Sequence, residues 1–236
     1  GLDAAAKMAI LATVAFGSRV PLDWVDVDGI EAVTREHVAA ARALDLHVKL
    51  VGRATLLDDR VDVRVGPALV DTHHPLAAVA GAFNAVMLQG DAIREITLEG
   101  PGAGGSETAS AVVADMVSIV GTTGTGFLQN DPVWRTLERL PPGELPSPHY
   151  LRLEVEDRAG VLAHVAQRLA DERVSVARLV QQPADGHAVL HVVTHEAPAG
   201  RVEAALDAIR ALPESRGDAR AWPVVSDRGV EELGWA

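Results

Sequence analysis

The start of the chain is almost wholly apolar. Residues 3–16 form an alanine-rich run without Gly or Pro, which predicts a helix that Gly17 ends. Apolar residues occupy every side of this helix, so we expect it to be buried rather than half-exposed. Thr34 precedes REHVAAARAL and predicts the N-cap of a second helix over 35–44.

The next segments follow the period of strands. The stretch HVKLVGRATLLDDRVDVRV predicts a hairpin that turns at Asp58-Asp59. After Pro75 we expect a short helix and then two strands, near 84–89 and 93–98. A glycine-rich loop leads from them into a helix over roughly 106–120. The first region is therefore predicted to be mixed α/β.

A proline-rich stretch over 124–148 predicts a linker, after which the pattern restarts. Strand, amphipathic helix, two strands, helix and strand follow in about 75 residues over 149–225. The order β-α-β-β-α-β is that of ferredoxin-like α+β domains. Residues 226–236 are predicted to be a tail, so the sequence indicates a two-domain protein of 236 residues.

Composition narrows the classes of function. The formal net charge is -12, which argues against a nucleic-acid or anionic-membrane partner because no basic patch exists to meet phosphates. The chain contains no cysteine, so disulfides and thiolate metal sites are excluded. No apolar run approaches the roughly 20 residues that span a bilayer. We expect a cytoplasmic protein.

The segment GPGAGG at 100–105 matches G-x-G-x-x-G literally. A dinucleotide fold also requires a parallel strand after the helix, ending in an acidic residue, and no such strand is visible here. A glycine loop that lets a backbone approach a ligand or a sheet closely is the better interpretation. The start of the following helix still offers amide groups to an anion or an amide.

Asp3 and Lys7 lie four residues apart on one helix face. On residue types alone, an ordinary intrahelical ion pair is the favoured interpretation. The apolar surroundings favour a partly dry site instead, in which a lysine can act as an acid or base. Both interpretations stay open at this point.

The histidines do not predict a metal site. His73 and His74 are adjacent before Pro75, which is typical of a polar turn. His187, His191 and His195 recur every four residues, but in a strand they would spread over about 13 Å, too far for one metal ion.

Four blocks of the sequence together resemble a known family. GLDAAAKMAILATVAFG, HPLAAVAGAFNAVMLQGD and GPGAGGSETASAVVADMV are similar to the C-terminal part of homoserine dehydrogenase. YLRLEVEDRAGVLAHVAQRLADERVSVARLVQQ resembles the ACT regulatory domain that many of these enzymes carry. The resemblance implies a catalytic and dimerisation region over 1–123 and an ACT domain over 149–225. The nucleotide-binding domain that opens the family is expected to be absent.

The resemblance also implies a chemistry. NAD or NADP would exchange a hydride with aspartate semialdehyde to give homoserine, in threonine and methionine biosynthesis. Asp3 would help to hold the substrate, and Lys7 would donate and accept the proton. The glycine loop would close over the nicotinamide end of the cofactor through Gly102, Ala103, Gly104 and Thr108.

The ACT resemblance implies an effector, most simply threonine. Asp157 would accept from its ammonium group, and a helix start would bind its carboxylate. Ala159 departs from the proline that is usual before Gly160 in such domains. The implied effector residues are Asp157, Gly160, Val161 and Leu162, together with Gln181 and Gln182 of a neighbouring copy, whose strand VSVARLVQQ would close the site.

Of two further expectations, one concerns assembly and the other an alternative function. By resemblance, the strands over 47–65 and 84–98 would form one mixed sheet whose outer face pairs with a second copy, giving a homo-oligomer that is at least a dimer. The alternative function is a catalytically inactive module that binds an amino acid and dimerises.

Overall fold

A computed structural model of the chain describes residues 1–121, 135–217 and 219–226. These residues form two compact units. The larger contains residues 1–72 and those from Thr136 onward, and the smaller contains His73–Arg135. Residues 124–134 of the predicted linker and nearly all of the predicted tail lie outside the described residues. The predicted domain and linker boundaries stay a prediction.

The larger unit begins with helix α1, Leu2–Phe16, which ends at Gly17 in the left-handed conformation (φ 60°). Its first region continues with β1 Val25–Val27, α2 Arg35–Ala43, β2 Leu46–Leu57 and β3 Arg60–Asp71. Helix α2 begins at the predicted N-cap. The backbone N–H of His37 donates to Oγ1 of Thr34 (3.4 Å), and the backbone N–H of Thr34 donates to Nδ1 of His37 (3.1 Å).

Strands β2 and β3 form the predicted hairpin and pair along their whole lengths, from Leu46 opposite Asp71 to Leu57 opposite Arg60. Asp58 takes a positive φ in the two-residue turn, as hairpin turns of this length require. One face of β3 places Val61, Val63 and Val65 in a buried cluster with Ala5 and Ala12 of α1. Alanines let the helix approach the sheet closely, so α1 is fixed to this face.

The expectation that α1 is buried on all sides is wrong for this chain. Only the alanine side of the helix, Ala5, Ala9 and Ala12, is buried. Leu2 and Ile10 are 80 % and 64 % exposed. A helix that packs on a single sheet covers one face, whatever the apolar content of the other.

The second region of the larger unit has the predicted β-α-β-β-α-β order. Its elements are β8 His149–Val155, α5 Val161–Asp171, β9 Val176–Ala184, β10 His187–Thr194, α6 Ala199–Arg210 and β12 Arg220–Val225. The strands lie in the order β12-β8-β10-β9, with antiparallel neighbours. This arrangement confirms the ferredoxin-like fold. Leucines and valines of the strands and both helices form its core.

Residues 137–147 lie against both regions. Strand β6, Glu138–Arg139, pairs with the start of β3, and Leu137 and Leu140 are buried. Strand β7, Pro146–Ser147, pairs with β11, Ala197–Pro198. Strand β12 also pairs with β3, through Val224 and Val225 opposite Leu69 and Val70. The two regions therefore share one eight-stranded sheet.

The smaller unit contains the predicted short helix, hairpin and long helix. They are α3 Pro75–Ala78, β4 Phe83–Gly90, β5 Arg94–Pro101 and α4 Gly105–Gly121. The expectation that this hairpin shares a sheet with 47–65 is wrong, since within the described residues β4 and β5 pair only with each other. One edge of β3 is occupied by β2, and β6, β1 and β12 occupy the other.

We expect Leu206→Ala to lower the free energy of unfolding by about 2–5 kcal/mol, because Leu206 is fully buried in the core of the ferredoxin-like region. Urea unfolding followed by circular dichroism measures the change. Leu162→Ala is the matched control, since Leu162 is on a helix of the same region and 40 % exposed. Equal losses in the two variants would contradict the described packing.

Candidate functional site

The first candidate site is an ion pair at the start of α1. Nζ of Lys7 lies 2.7 Å from Oδ2 of Asp3, and the two side chains are 64 % and 84 % exposed. The two residues are one helical turn apart, and the acid is nearer the helix N-terminus, which suits the helix dipole. The expectation of a partly dry pair is wrong for this chain, because both residues lie on the side of α1 that faces away from the sheet. The site is open to a reactant in solution.

The glycine loop precedes α4 in the smaller unit. A side chain at Gly102 would collide with the amide of Asn84, and one at Gly104 would collide with the carboxylate of Glu107. Gly104 also has φ +153°, which favours glycine. Strand β5 before the loop is antiparallel to β4, so this is not the strand-loop-helix of a dinucleotide fold. The glycines are needed for close contacts within the unit.

A carboxylate lies beside the same loop. Glu107 lies in the first turn of α4, directly over the loop, so a carboxylate occupies the helix end that would otherwise attract phosphate. Gly102, Ala103, Gly104 and Thr108 are exposed residues. The backbone N–H of Gly102 donates to the carbonyl oxygen of Ala82 (2.9 Å), and the carbonyl oxygen of Gly104 accepts from the backbone N–H of Thr108 (3.1 Å). A carboxylate at this helix end disfavours a pyrophosphate there.

The second candidate site is a cavity of about 300 Å³ at the start of helix α5. Gly160 is the N-cap residue with φ 92°, and no side chain caps the helix. Nε2 of Gln181 donates to Oδ1 of Asp157 across the opening (3.2 Å). The predicted residues that line this cavity are Asp157, Gly160, Val161, Leu162 and Gln181.

An uncapped helix end next to a carboxylate can receive both ends of an amino acid. The helix start attracts the ligand carboxylate, and Asp157 can accept from its ammonium group. Arg158 is not the partner of the ligand carboxylate, since its side chain pairs with Glu156 (2.9 Å) and Glu214 (2.8 Å). The cavity volume allows only a small ligand.

Comparison with known proteins matches both regions. Residues 1–117 match the family model described as homoserine dehydrogenase, and residues 149–214 match the ACT domain model. The homoserine dehydrogenase of Mycobacterium leprae is 39 % identical over 231 residues, which is 92 % of this chain and 52 % of that protein. That of Bacillus subtilis is 36 % identical over 200 residues, covering 83 % of this chain and 46 % of that protein.

A solved structure agrees with these matches. The homoserine dehydrogenase of Thiobacillus denitrificans is 32 % identical with a TM-score of 0.87, covering 95 % of this chain and 53 % of that chain. The chain belongs to the homoserine dehydrogenase family. It corresponds to the C-terminal catalytic part and the ACT domain, and it spans about half the length of the relatives it matches.

Gln182 does not line the ACT cavity. Neighbouring residues of a strand point to opposite faces, so Gln181 faces the cavity and Gln182 faces away from it. On that other face, Nε2 of His191 lies 3.2 Å from Oε1 of Gln182, and Nδ1 of His191 lies 2.7 Å from the hydroxyl of Tyr150. A neutral imidazole with its proton on Nε2 satisfies both partners, because it donates to Gln182 and accepts from Tyr150.

The Tyr150–His191–Gln182 chain of hydrogen bonds was not predicted from the sequence. Its members come from β8, β10 and β9, and only the strand order brings them together. Strand β10 is buried on both faces, so its sequence pattern does not identify the partners of His191. Burial raises the pKa of Tyr150 well above its ordinary value and lowers that of His191 to about 4, with Arg152 nearby also lowering the latter.

His73 and His74 have local positions. His73 lies in a turn, as predicted, and Nδ1 of His74 accepts from the backbone N–H of Leu76 (3.1 Å) at the start of α3. The described part of the chain holds no group of three His, Asp or Glu side chains suited to a metal ion. None of its described helices combines the length and apolar character needed to cross a membrane.

We expect His191 to make folding stability depend on pH. Its pKa is about 4 in the folded chain and near 6.5 when unfolded, so the unfolded chain binds more protons between these values. The free energy of unfolding should therefore fall as pH drops from 6.5 to 4, by at most about 1.4 kcal/mol per pH unit for this one group.

Urea unfolding at several pH values tests this expectation, with His191→Gln reducing the slope relative to the parent chain. Tyr150→Phe is the control, since it keeps the burial of His191 and should keep the slope. An unchanged slope in His191→Gln would show that His191 does not cause the pH dependence of stability.

Proposed function

We propose that this chain carries the proton-transfer pair and the amino-acid sensor of a homoserine dehydrogenase that interconverts aspartate semialdehyde and homoserine. The observation that carries the proposal is the 2.7 Å pair of Asp3 and Lys7 in the DAAAK segment at the start of α1. Family membership supports the reaction, and the exposure of the pair supports access by a substrate.

Lys7 acts on the substrate oxygen. NAD(P)H, where bound, supplies the hydride for the aldehyde carbon. Negative charge then grows on the carbonyl oxygen, and the ammonium of Lys7 stabilises this charge and donates its proton. In the reverse direction the neutral amine of Lys7 accepts the hydroxyl proton of homoserine.

Asp3 has two possible partners, Lys7 and the substrate ammonium. Its carboxylate now holds Lys7, and an exposed pair of this kind is worth under about 1 kcal/mol. A substrate ammonium can therefore replace Lys7 at Asp3 at little cost. The exchange frees the ammonium of Lys7 for the carbonyl oxygen. NAD and NADP are both compatible with the exposed glycine loop, which meets only the nicotinamide end.

In the complete enzyme we expect Lys7→Ala to lower kcat by roughly 10²–10⁴-fold, the usual contribution of general acid–base catalysis, with a smaller change in KM. Lys7→Arg should be nearly as slow, because arginine keeps the charge but does not release its proton. Asp3→Ala should raise KM as well. Steady-state kinetics measures all three.

Lys49→Ala is the matched control, as Lys49 is the only other lysine of the chain and lies on β2. Full activity of Lys7→Ala would refute the proton-transfer role. If neither constant changed in Asp3→Ala, the pair would be a structural ion pair only.

The alternative function is a regulatory and dimerisation module without turnover. The ACT cavity at the start of α5 favours this alternative. Mixing the purified chain with NADPH and aspartate semialdehyde separates the two functions. Oxidation of NADPH, lost in Lys7→Ala, would exclude the inactive module.

We also propose threonine as the effector of the ACT cavity. The uncapped start of α5 would bind the carboxylate, and Asp157 would accept from the ammonium group in place of Gln181. Ala159 and Gly160 form the loop between them, which keeps the helix end open. Gln182 is proposed to contribute only from the opposite face, through His191.

Calorimetric titration of the whole chain with threonine should give saturable heat below millimolar concentration. Asp157→Asn should weaken binding at least tenfold, since it removes the acceptor charge. Asp171→Asn, at the far end of α5, is the control and should bind as the parent does. Absence of heat at millimolar threonine would leave an assembly domain without a sensor role.

We propose that the β4–β5 hairpin is a dimer contact. Val86 lies opposite Leu98 and Leu88 opposite Ile96, so four apolar side chains share one face of the hairpin. All four are exposed in the single chain, Leu98 by 61 %. A contiguous apolar face of this kind requires cover.

Sedimentation at micromolar concentration should show a dimer for the parent chain and a monomer for the double variant Leu88→Asp/Leu98→Asp. Glu95→Asp/Glu99→Asp on the same strand keeps both negative charges, and this control variant should remain dimeric. A monomeric parent chain would refute this contact.

A further inference from the structure

A second cavity, of about 520 Å³, lies entirely within the larger unit and takes no part in the function proposed above. Its walls come from β2, β3 and β8 and from the start of helix α6. The side chains that distinguish it are Arg53, Arg64 and His149.

Two arginines face each other in this cavity. Arg53 of β2 and Arg64 of β3 are directly opposite in the hairpin register. Like charges in opposite positions destabilise a sheet unless an anion lies between or beside them. Asp62 supplies one such anion, but both of its oxygens bind Arg64, through Nε–Oδ2 at 3.1 Å and Nη2–Oδ1 at 2.9 Å.

Arg53 is therefore left with unused donors. Its Nη2 atom is buried and has no hydrogen-bond partner within the described residues. Burial lowers the pKa of Arg53, with Arg64 adding to this and Asp62 opposing it. A buried guanidinium nitrogen without a partner is costly, and an anion removes that cost.

His149 brings a second unused group to the same cavity. It is 4 % exposed, and its Nδ1 atom has no hydrogen-bond partner in the described part of the chain. Burial is the main reason that its pKa falls to about 4, a hydrogen bond with the backbone of Ser147 opposes this, and Arg64 and Arg53 lower it further. Both arginines line the same cavity as the imidazole ring.

The start of helix α6 lines the cavity through Ala199 and Gly200. This helix of 12 residues follows Pro198 and has no side-chain cap. The backbone N–H of Gly200 donates to the carbonyl oxygen of Gly143 (3.1 Å), which fixes the helix end in place. A side chain at Gly143 would come within 2.9 Å of that nitrogen, so the close approach requires glycine there. The positive end of the helix dipole thus faces the cavity.

The acids around the cavity do not neutralise Arg53. Asp26 pairs with Arg139 (2.6 Å), and Glu203 pairs with Arg210 (2.7 Å). Asp28 is exposed at the rim and forms no ion pair within the described residues, so it repels a second negative group at the mouth. The interior is positive and the rim is negative. This arrangement selects a ligand with one compact anionic head.

We propose that this cavity is a binding site for the oxyanion head, carboxylate or phosphate, of a small metabolite, held by Arg53 and the start of α6, with Nδ1 of His149 donating to the anion when it carries a proton. The site is separate from the Asp3–Lys7 pair and from the ACT cavity. It lies where β2 and β3 of the first region meet β8 and α6 of the second, so a ligand here would contact both regions.

Titration of the whole chain with sodium phosphate and with sodium acetate, at ionic strength held constant with sodium chloride, tests the proposal. Thermal unfolding should show saturable stabilisation by at least one of the two anions. The anion that stabilises assigns the head group as phosphate or carboxylate. Arg53→Gln should weaken anion binding and raise the midpoint concentration at least tenfold. His149→Phe should raise it severalfold.

Arg168→Gln is the matched control, because Arg168 lies on the exposed side of α5 away from the cavity and should bind as the parent does. In chloride alone, Arg53→Gln should unfold at the same temperature as the parent or higher, since it removes a buried charge without a partner. Stabilisation that is linear in anion concentration, or equal in Arg53→Gln and the parent, would overturn the proposal. An unfolding temperature of Arg53→Gln below that of the parent in chloride alone would also overturn the proposal, because Arg53 would then have a structural partner.

Discussion

Strand β3 is the element on which the rest of the larger unit depends. One edge of β3 pairs with β2 over its whole length, and β6, β1 and β12 pair in succession along the other. Its face packs against the alanines of α1. Each backbone group of β3 has only one partner, so the three short pairings fix where the first region, the proline-rich stretch and the ACT domain attach.

The same pairing connects both candidate sites through one sheet. Hydrogen bonds continue from β9, at the ACT cavity, through β10, β8 and β12 to β3, which supports the Asp3–Lys7 helix. It also creates the second cavity, because β2 and β3 can approach β8 and α6 only where β12 joins β3. Arg53 and His149, about a hundred residues apart in sequence, meet there without either being marked by a motif.

Local signals predicted the elements well. The capping Thr34, the Asp58-Asp59 turn and Gly17 each act within a few residues, and all three are found where they were expected. The ferredoxin-like order was also predictable, because each of its helices and strands has a clear period. The exposure of α1 and the separate β4–β5 hairpin were predicted wrongly, since both depend on which surfaces the sheet leaves free.

The sequence by itself determined the family, the helix that carries Asp3 and Lys7, and the helix start that opens the ACT cavity. These features need only residues that are neighbours along the chain. The tertiary structure alone decided that Gln181 faces the cavity while Gln182 binds His191, and that Arg64 takes both oxygens of Asp62 and leaves Arg53 without a carboxylate. The physical reason is that hydrogen bonds and ion pairs between strands depend on register and strand order, which residues far apart in the sequence set together.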